Sequence, residues 1–308
     1  MTNSINKIFL GLALVSFSAV SLMSCKGNKI FEEEMYKNVV SFISEDQQYN
    51  IFKEVISMDQ DTADGYIAAS VGGTKPTSED ITIYFDEDQE PLDFYNFSVF
   101  SDAEEEYAQL LPKDNYRIED MSITIPKGSR TGRSRVRINP NGLSPDSTYF
   151  IALKINDEQT SAEMNTEKTT LLYQVIVEND YSTTEEQTLY KMDGIINEAR
   201  TTGNVVMFPL ARNKVRIMAG DLPFKSDTGS IYDGSIVVEI NDDNSVNISP
   251  YKNIEVHQLF HPDYPNTYTR ETDRFGRTFD IFLLSYEYAL LDGDTQIVQE
   301  ELRREVLE

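Results

Sequence analysis

Apolar and polar positions along the chain mostly alternate with period two rather than 3.6, the repeat of a strand with one face inward. ITIYF (81–85), YRIEDMSITI (116–125), RSRVRI (133–138) and YFIALKI (149–155) alternate or run apolar, and the turn-rich stretches PKG (126–128) and NPNGLSPDS (139–147) separate them. Short strands at this spacing predict a β-sandwich. A second set follows: LLYQVIVE (171–178), NKVRIMA (213–219), GSIVVEI (234–240), NSVNISP (244–250) and RTFDIFLLSYEYAL (277–290). Asp242, Asp243 and Asn244 predict one hairpin turn, and DRFGR (273–277) another. Helix is expected only over Glu104 to Leu111 and over the last dozen residues. A polar, unpatterned stretch at 161–168 divides the two sets, so domains are expected at 35–165 and 166–308.

The N-terminus has a different pattern. Lys7 precedes an unbroken apolar and small run, Ile8 to Val20, long enough for a signal h-region and too short for a spanning helix. Leu22-Met23-Ser24-Cys25 follows. These residues resemble the lipobox of bacterial lipoproteins, which implies a signal peptide over 1–24, acylation of Cys25 and a tether over 25–34. Several acyl chains anchor where one is marginal. Cys25 is the single cysteine, so no disulfide forms within one chain. Lys26 and Lys29 come before the acids Glu32 to Glu34. An outer-membrane anchor is expected, facing the cell surface, with the periplasmic face left open.

Composition narrows the partners. The net charge is −25, and removal of residues 1–24, whose one charged side chain is Lys7, makes it −26. Such a surface repels nucleic acid and anionic phosphate. Glycans, peptides and other proteins remain. With 17 Tyr and 16 Phe the chain can fill real cores, but it has no Trp, a favoured sugar-stacking side chain.

Candidate chemistry is sparse. His257 and His261, the only histidines, lie four apart in HQLFH, but Gln258 replaces the Glu of a zincin motif and Pro262 opposes a helix. On a strand the two would stand about 13 Å apart. No metal site, cofactor or catalytic set is expected, and no G-x-S-x-G elbow is present. DQDTADG (59–65) has a calcium-like rhythm one residue too long. Arg133, Arg135 and Arg137 would share one strand face as a basic stripe, either docking an anionic partner or pairing with the chain's own carboxylates. The strongest ligand candidate is the proline-stiffened stretch 251–271. Tyr251, Phe260, Tyr264 and Tyr268 could stack on sugar faces, with Asp263, Asn266 and Arg270 as hydrogen-bonding partners.

Two resemblances complete the reading. DITIYFD, LDFYN, YAQLLPKDNYRI, SITIPKGS and LSPDSTYFIALKI resemble the domain of unknown function 1735, the immunoglobulin-like first domain of many Bacteroidetes lipoproteins. ARNKVRIMAGDLPF, IVVEINDDNSVNISPYKN, GRTFDIFLLSYEY and EELRRE resemble the domain of unknown function 4361, which often follows it. Together they imply an all-β chain, an immunoglobulin-like sandwich followed by a calycin-like barrel. They also imply a non-catalytic accessory lipoprotein, capturing a polysaccharide or oligosaccharide beside a Sus-like transporter. The alternative is an adhesin-like or complex-forming subunit that contacts other proteins and no sugar.

Overall fold

The computed structural model describes residues 38–306, apart from 46–47, 74–75 and 291–292. Cys25, the signal sequence and the tether lie outside the described residues.

The first domain packs two sheets face to face. One contains β1 (Val40–Phe42), β3 (Ala63–Val71), β8 (Thr131–Ile138) and β6 (Tyr116–Ile118), in that order. The other runs β11 (Ser182–Thr183), β10 (Thr170–Asn179), β9 (Tyr149–Ile155), β4 (Ile81–Glu87) and β7 (Ser122–Ile125). In it β2 (Ile51–Ser57) runs parallel on β10 and β5 (Gln109–Leu110) parallel on β9. Strand alternation decides the facing. In β8, Ser134, Val136 and Ile138 are buried while Arg133, Arg135 and Arg137 point away from the core. β9 is apolar almost throughout because both its faces are covered. Ile151, Leu153 and Ile155 enter the sandwich core. Phe150 and Ala152 lie beneath a helix, α1 (Glu90–Phe100).

α1 occupies a stretch rich in Phe, Tyr and Val, for which the sequence predicts no helix. Its start is local: Asp88 accepts the Glu90 N–H at 2.9 Å and Pro91 sits in the first turn. Its seat is tertiary. Leu92 is buried on the sheet, and buried Asn96 exchanges two 2.9 Å hydrogen bonds with the Ala108 backbone. The helix expected over Glu104 to Leu111 is instead a 3-10 turn, Glu104–Glu106, leading into β5, because the Gln109 and Leu111 N–H groups donate to the Thr148 and Phe150 carbonyls beside β9.

The second domain is a nearly closed antiparallel barrel. Its order is β16 (Val246–Pro250), β15 (Ser235–Ile240), β14 (Lys214–Met218), β13 (Ala199–Ala211), β12 (Thr188–Ile196), β20 (Gln296–Val306), β19 (Thr278–Ala289) and β17 (Glu255–Gln258). β18 (Thr267–Thr272) also pairs with β19, further along the same strand. A short helix, α2 (Thr228–Gly234), precedes β15. Asn266 and Asn244 carbonyls accept N–H bonds from Val246 and Tyr268, and the Gln258 side chain accepts from Ile248, joining the last edge to the first. Both predicted hairpins form, with Asn244 at φ +64 and Gly276 at φ +82 in their turns.

Of the C-terminal dozen, the described residues, through Val306, are strand and not helix. EELRRE carries helix-forming charges, but β20 bridges β12 and β19, and Val298 and Leu302 are needed inside. Beyond the stretch at 161–168, β10 hydrogen-bonds to β9 and β2, and its Leu171, Tyr173, Val175 and Val177 pack in the first core.

The barrel interior is filled. Tyr190, Met207, Ile217, Phe282, Leu284 and Tyr286 are fully buried in it. Glu300, also fully buried, accepts a 2.8 Å hydrogen bond from Tyr286, whose oxygen accepts the Gly220 N–H. Burial pushes the Glu300 carboxyl up to about 8, against the pull of Tyr286. The native state thus holds a proton that the unfolded chain releases near the ordinary glutamate value. Its contribution to stability is present below that value and is lost as pH rises through about 8. Denaturation at pH 5 and pH 9 should show the wild type losing on the order of a few kcal/mol more than Glu300→Gln across that interval. Equal pH dependence of the two proteins would show that Glu300 is not the titrating group.

Candidate functional site

The two domains meet around one arginine. Arg216, on β14, points outward from the barrel yet is 1 % exposed. Phe208 on the neighbouring strand and Tyr251 cover its guanidinium at 4.7 and 5.5 Å. It donates to Ser235 Oγ at 3.2 Å and to the carboxylate of Asp146, which comes from the β8–β9 loop of the sandwich. Burial raises the Asp146 carboxyl, opposed first by Arg216 and then by hydrogen bonds from Tyr251 and Ser144. Guanidinium stays protonated under these conditions, so the contact is a largely desolvated ion pair.

A second seam lies where the chain crosses. The Asn179 amide donates to the Ala211 and Lys214 carbonyls, and its oxygen accepts the Tyr181 and Ser182 N–H groups. Arg270 and Arg304 each donate to the Asp180 carbonyl at 3.3 Å. The domains are joined at both the linker and the lock.

Between them is a cleft of about 450 Å³, within the range typical of ligand sites and in the setting they favour, a domain interface. Phe100, at the end of α1, and Tyr107 form one wall, their ring centroids 6.3 Å apart. Tyr232 of α2 stands on the barrel side. Ser144, Ser147, Thr148, Ser226 and Thr228 bring hydroxyls from both domains, and Glu105 and Glu106 bring carboxylates. Such a mixture of flat apolar rings and two-way hydrogen-bonding groups suits a polyhydroxylated ligand. A more open hollow of about 600 Å³ beside Arg137, lined by Asp59 and Asp64, contains no aromatic side chain.

The predicted aromatic stretch divides differently. Tyr268 is 8 % exposed, packs edge-on against Tyr181 and gives its hydroxyl to Asp280 at 2.7 Å. It is barrel core, not a stacking platform, because it sits opposite Phe282 on the inward face. Asn266 is buried too, bridging the Leu259 carbonyl and the Ser285 N–H to close the wall. Arg270 is consumed by fully buried Asp280, which also holds Arg304. Tyr251 covers Arg216 in the lock. Phe260, 87 % exposed, stays on the surface, with exposed Asp263 and half-buried Tyr264 in the excursion between β17 and β18. Tyr264 lies against His261, and His257 pairs with Glu255, so the two histidines serve different neighbours.

The basic stripe forms on one face as predicted, but it is internally paired. Arg135 and Arg137 both reach Asp64 and Glu119, and Arg133 lies over Tyr66 at 4.2 Å. Asp64 from the calcium-like stretch is thereby occupied. The cleft residues Phe100, Tyr107 and Tyr232 were not legible as a set. Tyr232 lies more than a hundred positions beyond Phe100 and Tyr107, and only the domain packing brings it beside them.

A family model for an N-terminal domain matches residues 36–162, and its C-terminal companion matches 169–303. A multidomain protein including DUF1735 from Bacteroides ovatus has the same two-domain fold, with TM-score 0.65 and 16 % identity over 86 % of this chain and 94 % of that one. The chain carries both domains matched by this companion pair of family models, and its fold is that of the DUF1735 protein. Another B. ovatus protein of unknown function aligns with the DUF1735-type chain at TM-score 0.66 and 17 % identity, covering 87 % and 94 %. An auxiliary nutrient binding protein from Bacteroides thetaiotaomicron aligns at 0.58 and 13 %, covering 88 % and 95 %. At such identities these show the fold alone. No curated protein matches.

Removal of Arg216 isolates a mostly buried carboxylate, so Arg216→Met should cost about 3–5 kcal/mol. The double variant Arg216→Met/Asp146→Leu should recover most of that loss in guanidinium denaturation. Phe260→Ala should stay within about 0.5 kcal/mol.

Proposed function

We propose that this DUF1735-type protein is a non-catalytic accessory lipoprotein that captures a glycan in the cleft between its domains and passes it to a neighbouring uptake system. The observation that carries the reading is the cleft itself. Phe100, Tyr107 and Tyr232 present rings from both domains around hydroxyl and carboxylate groups. The filled barrel directs attention to this exterior position, since no ligand fits inside it. The nutrient-binding description of the B. thetaiotaomicron relative supports the direction of the reading. The lipobox residues around Cys25 support an anchor in the outer membrane.

A second reading draws on α1. Phe94 and Phe97, 62 % and 66 % exposed one helical turn apart, are a surface that another protein would cover. It favours the complex-forming alternative.

The test is affinity electrophoresis of the purified protein through gels containing single polysaccharides. One glycan should retard the wild type, and Tyr107→Ala or Tyr232→Ala should weaken that retardation about tenfold. Phe260→Ala should migrate as wild type, and no new reducing ends should appear. Retardation lost only with Phe260→Ala would move the site to the excursion between β17 and β18. Absence of retardation together with loss of a membrane partner in Phe97→Asp would favour the second reading. For the anchor, Cys25→Ala should abolish palmitate incorporation and leave the protein in the soluble fraction; a labelled, membrane-bound variant would contradict it.

A further inference from the structure

We infer that the cleft selects uncharged glycans and turns away those carrying uronate or sulfate. The inference rests on the capture reading above and concerns the chemistry of the same site. Its basis is a count of charges that a ligand would meet. Glu105 and Glu106 are both exposed and both line the cleft, in a 3-10 turn whose three residues are all glutamate. Asp102 precedes them. Among the described lining residues none is Lys, Arg or His.

The nearby cations lie outside the lining. Arg216 is 1 % exposed and held by Asp146, so it neutralises the third carboxylate of the lining and offers no charge to a ligand. Lys252 lies over the Tyr232 and Tyr251 rings at 5.6 and 5.5 Å. Lys225 adjoins Ser226 in sequence and is not itself a lining residue. An anionic sugar entering the cleft thus meets Glu105 and Glu106 with no basic residue in the lining to compensate them. A hydroxyl-bearing sugar finds in the same carboxylates strong acceptors.

At a separation of about 6 Å in a solvent-filled cleft, each like-charge contact weakens binding about threefold, and two weaken it about tenfold at low salt. The effect fades as ionic strength shortens the screening length to a few ångströms near 1 M. Glycans on a strongly acidic protein would meet a general repulsion as well, but that background is unchanged by a substitution confined to the cleft.

The experiment compares an uncharged polysaccharide that retards the protein with its own carboxymethylated and sulfated derivatives, in native gels at low and at about 1 M salt. Wild type should be retarded by the uncharged chain about tenfold more strongly at low salt, with the gap closing at high salt. The variant Glu105→Gln/Glu106→Gln, checked for an unchanged melting transition, should keep the uncharged ligand and gain the derivatives. Equal retardation of wild type by both forms, or no gain in the variant, would overturn the selection and leave capture standing. If no polysaccharide of either kind retards the folded protein, the capture reading falls and the selection with it.

Discussion

The position of one domain on the other depends on a charge taken out of water. Arg216 is enclosed by Phe208, Tyr251 and Ser235 of its own barrel, and its remaining demand is met by Asp146 of the sandwich. A buried ion pair is weak evidence for net stability, because desolvation offsets most of the attraction. Its value here is directional. A guanidinium bonds in a fixed plane, and a carboxylate that fails to reach it leaves an unpaired charge inside the interface. Few relative orientations of the two domains satisfy both groups.

That constraint places the cleft. The loop that delivers Asp146 also supplies Ser144, Ser147 and Thr148 to the cleft, and the barrel segment that approaches it supplies Tyr232. The sandwich brings Phe100 and Tyr107 to it, and the barrel completes the opposite side with Tyr232. The barrel interior, where a calycin-like fold might have kept a ligand, is instead occupied by tyrosines and aliphatic side chains, with Glu300 held neutral among them.

The sequence made the strands legible because their facing is a local property. Arg133, Arg135 and Arg137 alternate with Ser134, Val136 and Ile138, and one face must be buried. What stayed hidden depended on partners far along the chain. EPLDFYNFSVF forms a helix because β9 offers Phe150 and Ala152 as a floor, and EELRREV forms a strand because β12 and β19 leave a gap for it. Tyr268 and Phe260 look alike in sequence, and the register that sets Tyr268 opposite Phe282 on the inward face, with its hydroxyl on Asp280, separates a core ring from a surface one. Arg216 and Asp146, seventy positions apart, gave no local sign of each other. Of the aromatic stretch 251–271, Tyr268 and Asn266 thus became core while Phe260 and Asp263 stayed exposed.

The central claim is that ligand binding engages both domains at once, at the cleft. Hydrogen–deuterium exchange with and without a retarded oligosaccharide tests it directly. The account predicts joint protection of 100–109 in the sandwich and 226–232 in the barrel, with the barrel strands unchanged. Protection confined to one domain, or centred on 259–266, would contradict it.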